Sequence, residues 1–261
     1  MDKKNIINGV TGFIDILGFS ERVINAESYE DIELINNQIN FIQSKFEATN
    51  NSEETKELQE IYQKTVLAFS DCVIINIGLQ SQAIEYSGDF DPIMCQLHDI
   101  ALAQAECAQK SIFLRGGIDM GWWYQQGSTM ISEGLVNAVK RETSAEIPVI
   151  ALCDKIYHYF SNHQGRSHYH PHIEPIQHLL KEYKSENTNF FYLDYISTIL
   201  DTLISFDGSP QDWLKEHAEA IKKASKTANN KAVMDKYYWL AKYHNEIANE
   251  YQMNKNCFCN I

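Results

Sequence analysis

Residues 10–17, Val-Thr-Gly-Phe-Ile-Asp-Ile-Leu, are rich in branched and aromatic side chains and stop at Gly18, a pattern that predicts a strand. From Tyr29 to Phe46, apolar Ile32, Ile35, Ile39, Ile42 and Phe46 recur at steps of three or four, predicting a helix whose stripe lies on something flat. The segment beginning Ala48-Thr49-Asn50 is polar and reads as a loop or frayed helix. Two apolar runs then flank Ser70-Asp71, which predicts a β-hairpin with Asp71 at its tip. A helix is expected from Pro92 to Lys110, with Pro92 suited to the first turn, followed by a strand over Ser111–Met120. Residues 133–145 read as helix and Pro148–Leu152 as a short strand. The order β, α, ββ, α, β, then a further α and β, predicts an α+β fold: a ferredoxin-like βαββαβ core, helices on one face of a mainly antiparallel sheet.

The last third reads differently. Residues 163–175 are irregular and histidine-rich; His168, His170 and His172 alternate, but Pro171 interrupts them, so a solvated loop is expected rather than a zinc site. Phe190–Tyr195 suits an edge strand, and helices are expected around 195–206, 210–227 and 231–251. Residues 1–160 are assigned to the core and 161–261 to a helical extension of the same domain. The Lys and Glu of residues 210–250 read as a solvated face rather than a membrane-binding one.

Composition narrows the function. With 22 Lys and Arg against 35 Asp and Glu, the net charge is −13 and the pI about 5.1. Nucleic acid is therefore not an expected partner. No apolar run approaches the ~18 residues of a membrane span. The basic start followed by apolar residues is interrupted by Asp15 and has no small-residue cleavage site, against a signal peptide. Cys72, Cys95, Cys107 and Cys153 sit in apolar segments, while Cys257 and Cys259 form a C-x-C pair expected to be a free, frayed tail. This cysteine usage fits a reducing cytoplasm.

The residues that point to chemistry are Asp15, inside an apolar strand, and Asp71, at a hairpin tip. A carboxylate buried among apolar groups is costly unless paired or bound to a cation. Two that face each other across neighbouring strands offer what a hard divalent cation and phosphate oxygens need. Gly18, just past the strand, lets backbone N–H groups approach a polyphosphate.

Phe13-Ile14-Asp15-Ile16-Leu17-Gly18-Phe19, the hairpin Asp71, and Arg115-Gly116-Gly117-Ile118-Asp119-Met120-Gly121 occur in that order, with the two acids 56 positions apart. In this, residues ~10–155 resemble the class III nucleotide cyclase catalytic domain. The doubled glycine in Leu-Arg-Gly-Gly-Ile and the run Tyr238–Asn245 are most similar to the Pycsar pyrimidine cyclases of bacterial anti-phage defence. The resemblance implies that Asp15, Asp71 and the Ile16 carbonyl bind two Mg²⁺ or Mn²⁺ ions. One would acidify the ribose 3′-hydroxyl for in-line attack on the α-phosphate, and the other would neutralise pyrophosphate. It also places Phe13, Gly18 and Phe19 against the substrate.

The resemblance further implies an Asn and an Arg, four residues apart, that orient ribose and stabilise transition-state charge. Asn137 and Arg141 have that spacing; a register anchored on Ala138 and Glu142 instead makes Lys140 the cation and puts Val136 at the Asn position. Purine-reading relatives carry a Lys four residues before the second acid, which here is Leu67, and an acid that falls on Met130. Losing both polar contacts disfavours ATP and GTP, since each unpaired group costs ~1–3 kcal/mol. Arg115 is expected to touch phosphate or to make structural bonds near the strand. Trp122, Trp123 and Tyr124 are expected in the core or at a dimer interface. The implied activity is closure of UTP to 3′,5′-cyclic UMP. Alternatives are CTP, then ATP, then an inactive nucleotide-binding homologue. A homodimer with shared sites and a separate cyclic-nucleotide-responsive effector are also implied.

Overall fold

The computed structural model describes residues 6–46, 52–88, 90–127, 129–162, 178–186, 188–228 and 230–261, so the histidine-rich stretch 163–175 lies outside the described residues. Strand β1 (Ile6–Ile16) is followed by helices α1 (Phe19–Ile24), α2 (Tyr29–Lys45) and α3 (Glu53–Ile61). Then come the hairpin β2 (Lys64–Phe69) and β3 (Cys72–Gly78), and helices α4 (Gln82–Ser87) and α5 (Phe90–Gln109). Next are β4 (Leu114–Gln126), β5 (Thr129–Ser132), α6 (Glu133–Ala145), β6 (Ile150–Leu152) and α7 (Asp154–Asn162). The extension adds β7 (Leu180–Lys184), β8 (Asn189–Leu193), α8 (Tyr195–Ser205), α9 (Pro210–Ser225) and α10 (Lys231–Glu250).

The strand order is β2-β3-β1-β4-β6-β8-β7, with β5 paired to β4. Within β2-β3-β1-β4 every neighbour is antiparallel, and the β4–β6 pair is parallel. This is the expected α+β arrangement with a βαββαβ core. Alternation along the strands sorts the side chains. Val10, Ile14 and Ile16 with Val73, Ile75 and Ile77 form the face under α2 and α5, all nearly inaccessible. Thr11, Phe13 and Asp15, with their β4 partners Asp119, Gly117 and Arg115, form the other face.

Helix α6 packs on that second face. A Cβ at Gly117 would stand 2.0 Å from the Ala138 carbonyl oxygen, so the second glycine of the doublet is needed for strand and helix to touch. Ser132 caps α6 by accepting from the Leu135 N–H at 2.9 Å.

Three expectations are corrected. Of the α2 stripe only Ile42 and Phe46 are buried, while Ile32 is 58% exposed. The N-terminal half of α2 is held by the Ser28–Asp31 capping box and by Arg22 of α1, which donates to Gln38 at 2.6 Å. Strand β8 is not an edge: it pairs with β6 on one side and β7 on the other. The C-x-C tail is not frayed, since Cys257 and Cys259 are buried. Among the described residues the strand after α5 also runs on through Trp122–Gln126 and turns back into β5, a hairpin the sequence reading did not include.

A buried polar chain fixes the tail. His244 Nε2 lies 2.7 Å from the Cys257 carbonyl, His217 Nδ1 lies 2.8 Å from His244 Nδ1, and the Tyr195 hydroxyl lies 2.8 Å from His217 Nε2. A carbonyl only accepts, so His244 Nε2 donates. His244 Nδ1 then accepts from His217 Nδ1, and His217 Nε2 accepts from Tyr195. Asn245 closes a two-way bond with Cys259, at 2.8 and 2.7 Å. The Tyr238–Asn245 run thus serves to seat the C-terminus. Burial drives both histidines below their ordinary values, so both are neutral when folded.

Folded values below the unfolded one mean stability that is present above the unfolded histidine range and lost as pH falls through it. His244→Ala is expected to cost about 2–4 kcal/mol through its cavity and the orphaned Cys257 carbonyl. It should also flatten the fall in melting temperature between pH 7 and 5. Thermal unfolding across that range measures both effects.

Candidate metal centre

Asp15 is the penultimate residue of β1, one step from where the strand leaves the sheet, and it faces away from the α2–α5 layer. The β2–β3 hairpin carries Asp71 back to it. Its turn is only Ser70-Asp71, because Phe69 pairs with Cys72, and Ser70 takes a φ of 55°. A positive φ at the first central position is what lets a two-residue loop follow the strand twist. Donor atoms of Asp15, Asp71 and Cys72 all lie within 4.8 Å of one another. The expected convergence of the two acids is what the structure shows. Cys72 was not among the sequence candidates; its signal was the register, which puts the residue after the hairpin tip on the face of Asp15.

The electrostatics record how tight this arrangement is. Asp71 is pushed up to about 7, first by burial and then by the Asp15 carboxylate opposite it. The Cys72 thiol is pushed up to about 12 by burial, with the two carboxylates adding to it. Among the described residues, Arg115 is the cation that contacts Asp15. Arg115 Nη2 donates to Asp15 Oδ2 at 2.9 Å, and its Nη1 lies 2.8 Å from Glu142 Oε1 on α6. Glu142, nearly buried, was named only as a register anchor in the sequence. Here it holds the arginine that holds Asp15.

The pair fits a divalent cation. Asp15 Oδ1 is buried and has no hydrogen-bond partner among the described residues, while Oδ2 is fixed by Arg115. A bare carboxylate oxygen beside a second carboxyl is a hard donor set suited to Mg²⁺ or Mn²⁺. Arg115 would then act from behind the ligand, orienting it. The Ile16 side chain is buried on the opposite face, leaving only its carbonyl to contribute. Gly18 sits at φ 74° with nothing within 4 Å of a would-be Cβ, so the left-handed turn, and not crowding, requires glycine. Phe13 is half-buried, and Phe19 packs against the core edge.

Of the α6 candidates, Arg141 is bonded to a different acid. Arg141 donates through Nε and Nη2 to Asp119 Oδ2 at 3.2 and 3.0 Å. Asn137 is half-buried one turn earlier, and Lys140 is exposed. Leu67 is half-buried on β2 opposite Ile74. Met130 on β5 is 3.7 Å from the Asn76 amide, which also donates to Thr65 and accepts from Thr11.

No family model and no curated protein matches the sequence. Among solved structures, the chain is similar to the monomeric guanylyl cyclase domain of the RhoGC fusion protein from the aquatic fungus Blastocladiella emersonii. That match has 13% identity, 72% of this chain and 95% of that one covered, and a TM-score of 0.45. A bacterial light-regulated adenylyl cyclase matches at 12% identity, 73% of this chain and 52% of the other, TM-score 0.43, so this chain spans about half of its length. A class III adenylyl cyclase-like ATP-binding protein from Pseudomonas aeruginosa matches at 13%, with 84% and 44% covered and a TM-score of 0.40. Likenesses this distant assign no activity to this chain.

With its folded value above the unfolded one, Asp71 keeps a proton that the unfolded chain has released between pH ~4 and ~7. Its contribution to stability therefore falls as pH rises through that window. Mn²⁺ competes with that proton. At a hundredfold excess over its Kd it should stabilise by about 2.7 kcal/mol, or about 5–10 °C, at pH 8. The shift should be smaller at pH 5 and absent in Asp15→Asn; differential scanning calorimetry reads all three.

Proposed function

We propose that the chain is a nucleotide cyclase acting on a pyrimidine substrate, closing UTP to 3′,5′-cyclic UMP and pyrophosphate, with CTP the next candidate. The observation that carries this reading is the convergence of Asp15 and Asp71 with one carboxylate oxygen bare and buried. In the reaction the ribose 3′-oxygen bonds to the α-phosphorus as the bond to the bridging β-phosphate oxygen breaks. Pyrophosphate leaves and the hydroxyl proton is released. Bound divalent cations would lower the hydroxyl pKa and neutralise the leaving group. The protein's own part is alignment and charge, because phosphoryl transfer needs little else from side chains. Arg115, braced by Glu142, keeps Asp15 in one orientation. Gly18 leaves backbone free beside the pair. Leu67 and Met130 offer a purine edge no charged partner, which supports the smaller base.

The reading includes a homodimer. The face that carries Asp15 is covered by α6 over β4, β1 and β6. Phe69 is 83% exposed on β2, and Val136 and Val139 of α6 are 55% and 37% exposed. A second copy laid on this face would bring its own Asn137 and Arg141 toward the carboxylates. A separate effector that responds to the cyclic product belongs to the same reading. A second reading, nucleotide binding without turnover, is favoured by one observation: Arg141 is already engaged by the buried Asp119.

Purified protein with Mn²⁺ and each of the four ribonucleoside triphosphates, with products identified by mass, is expected to yield cyclic UMP first. Turnover of ATP alone would reassign it as an adenylate cyclase. Asp71→Ala should lower product at least ~10³-fold with the fold intact. Mixing inactive Asp71→Ala with inactive Asn137→Ala should restore activity if the site is shared. Product from Asp71→Ala alone would contradict the metal assignment.

A further inference from the structure

Two ion pairs of opposite sense join α6 to β4. Glu142 of the helix takes Arg115 of the strand, and Arg141, just before it, goes to Asp119 of the strand. The helix comes close enough for both because Gly117 and Gly121 lack side chains; a Cβ at Gly121 would stand 2.7 Å from the Gly134 nitrogen. The two arginines are held differently. Arg115 spends both terminal nitrogens, Nη2 on Asp15 and Nη1 on Glu142, and its Nε is buried without a partner among the described residues. Arg141 is gripped from the side: Nε and Nη2 both donate to Asp119 Oδ2, at 3.2 and 3.0 Å. Its Nη1 makes no bond among the described residues and is not buried, so the terminal fork of Nη1 and the outer Nη2 hydrogen stays free.

Asp119 is built for this grip. Its side chain is 6% exposed, and its Oδ1 accepts from the Met120 N–H at 2.8 Å. Its register partner Thr11 gives its own hydroxyl to Asn76. A carboxylate so buried is costly without a cation, and Arg141 is the cation that contacts it among the described residues. Lys140, the neighbouring cation on α6, is exposed and meets no carboxylate there. A side-on carboxylate fixes the plane of a guanidinium while sparing the fork that matches phosphate oxygens.

We infer that Asp119 is a positioning residue: it fixes Arg141 so that the free fork meets the α-phosphate oxygens of a nucleotide, where charge develops as pyrophosphate leaves. This rests on the cyclase reading, with its site shared between two copies, and assigns the α6 cation to Arg141 rather than Lys140. A contact that took the fork would withhold Arg141 from a ligand; the side-on contact does not. Asp119 also offsets part of the arginine's charge. Without it the guanidinium is looser but pulls no less on a ground-state phosphate, so the loss falls on kcat and not on KM.

Steady-state kinetics of the full chain, with Mn²⁺ and the nucleotide it turns over, tests this. Asp119→Asn is expected to lower kcat about 10–30-fold, the cost of freeing one arginine, with KM no higher than wild type. The Mn²⁺-induced rise in melting temperature should be kept. In an Arg141→Ala background the same substitution should cost nothing further, because its effect passes through the arginine. Arg141→Lys carries the test if Asp119→Asn does not fold. Asp119 then takes the lysine's point charge and no fork remains, so kcat should fall nearly as far as in Arg141→Ala. An Asp119→Asn kcat within about twofold of wild type overturns the inference. So does an equal further loss on Arg141→Ala, which would mean that Asp119 acts through the packing of α6. Wild-type kcat in Arg141→Lys overturns it too, and so does turnover lost in Lys140→Ala but kept in Arg141→Ala. In each of these results the cyclase reading stands. A wild-type chain that makes no cyclic product from any nucleotide removes that reading and this inference with it.

Discussion

Two carboxyl groups at the end of one strand and the tip of a neighbouring hairpin share a half-buried space with the Arg115 guanidinium, and most of the architecture around them follows from that imbalance. Asp15 gives one oxygen to Arg115, and its other oxygen meets no nitrogen donor among the described residues; Asp71, facing it and hydrogen-bonded to Asp15, holds its proton to about pH 7. Without a cation, burial of such a pair is unfavourable. A fold that keeps it has a use for the charge.

The supports run outward from the pair. Arg115 is fixed by Glu142, Glu142 by α6, and α6 can approach because residue 117 has no side chain. The hairpin is just long enough to return Asp71 because its turn is two residues, at the cost of a positive φ at Ser70. On the far side of the sheet, α2 and α5 bury Ile14, Ile16 and Ile75, so β1 cannot slip by one residue without placing Asp15 in the core. The same register that makes the core dry makes the opposite face the place for chemistry.

Much of this was legible where local pattern and tertiary burden agree. The apolar strand with its lone Asp, the hairpin punctuation at Ser70-Asp71, and the helix over 133–145 were each set by short-range signals. What was not legible depended on long-range contact. The α2 stripe has helical periodicity throughout, yet only its last turns meet the core. Phe190–Leu193 is bracketed by strands on both sides, and nothing local says which strands will pair. The C-x-C tail is held by His244 and Asn245, which lie more than ten residues earlier and speak for it only once α10 is folded. Cys72 and Glu142 enter the site through register and helix packing, which no motif spacing announces. The second-chain arrangement of Asn137 and Arg141 rests on resemblance, and within the chain Arg141 is engaged by Asp119.

The account therefore turns on whether Asp15 and Asp71 hold one cation between them. Anomalous diffraction from a crystal soaked in Mn²⁺ measures this directly. The expected result is a peak bridging Asp15 Oδ1 and the Asp71 carboxylate, with Arg115 still on Asp15 Oδ2. A structure with no peak there, or with Mn²⁺ bound elsewhere and the two acids unchanged, would contradict it.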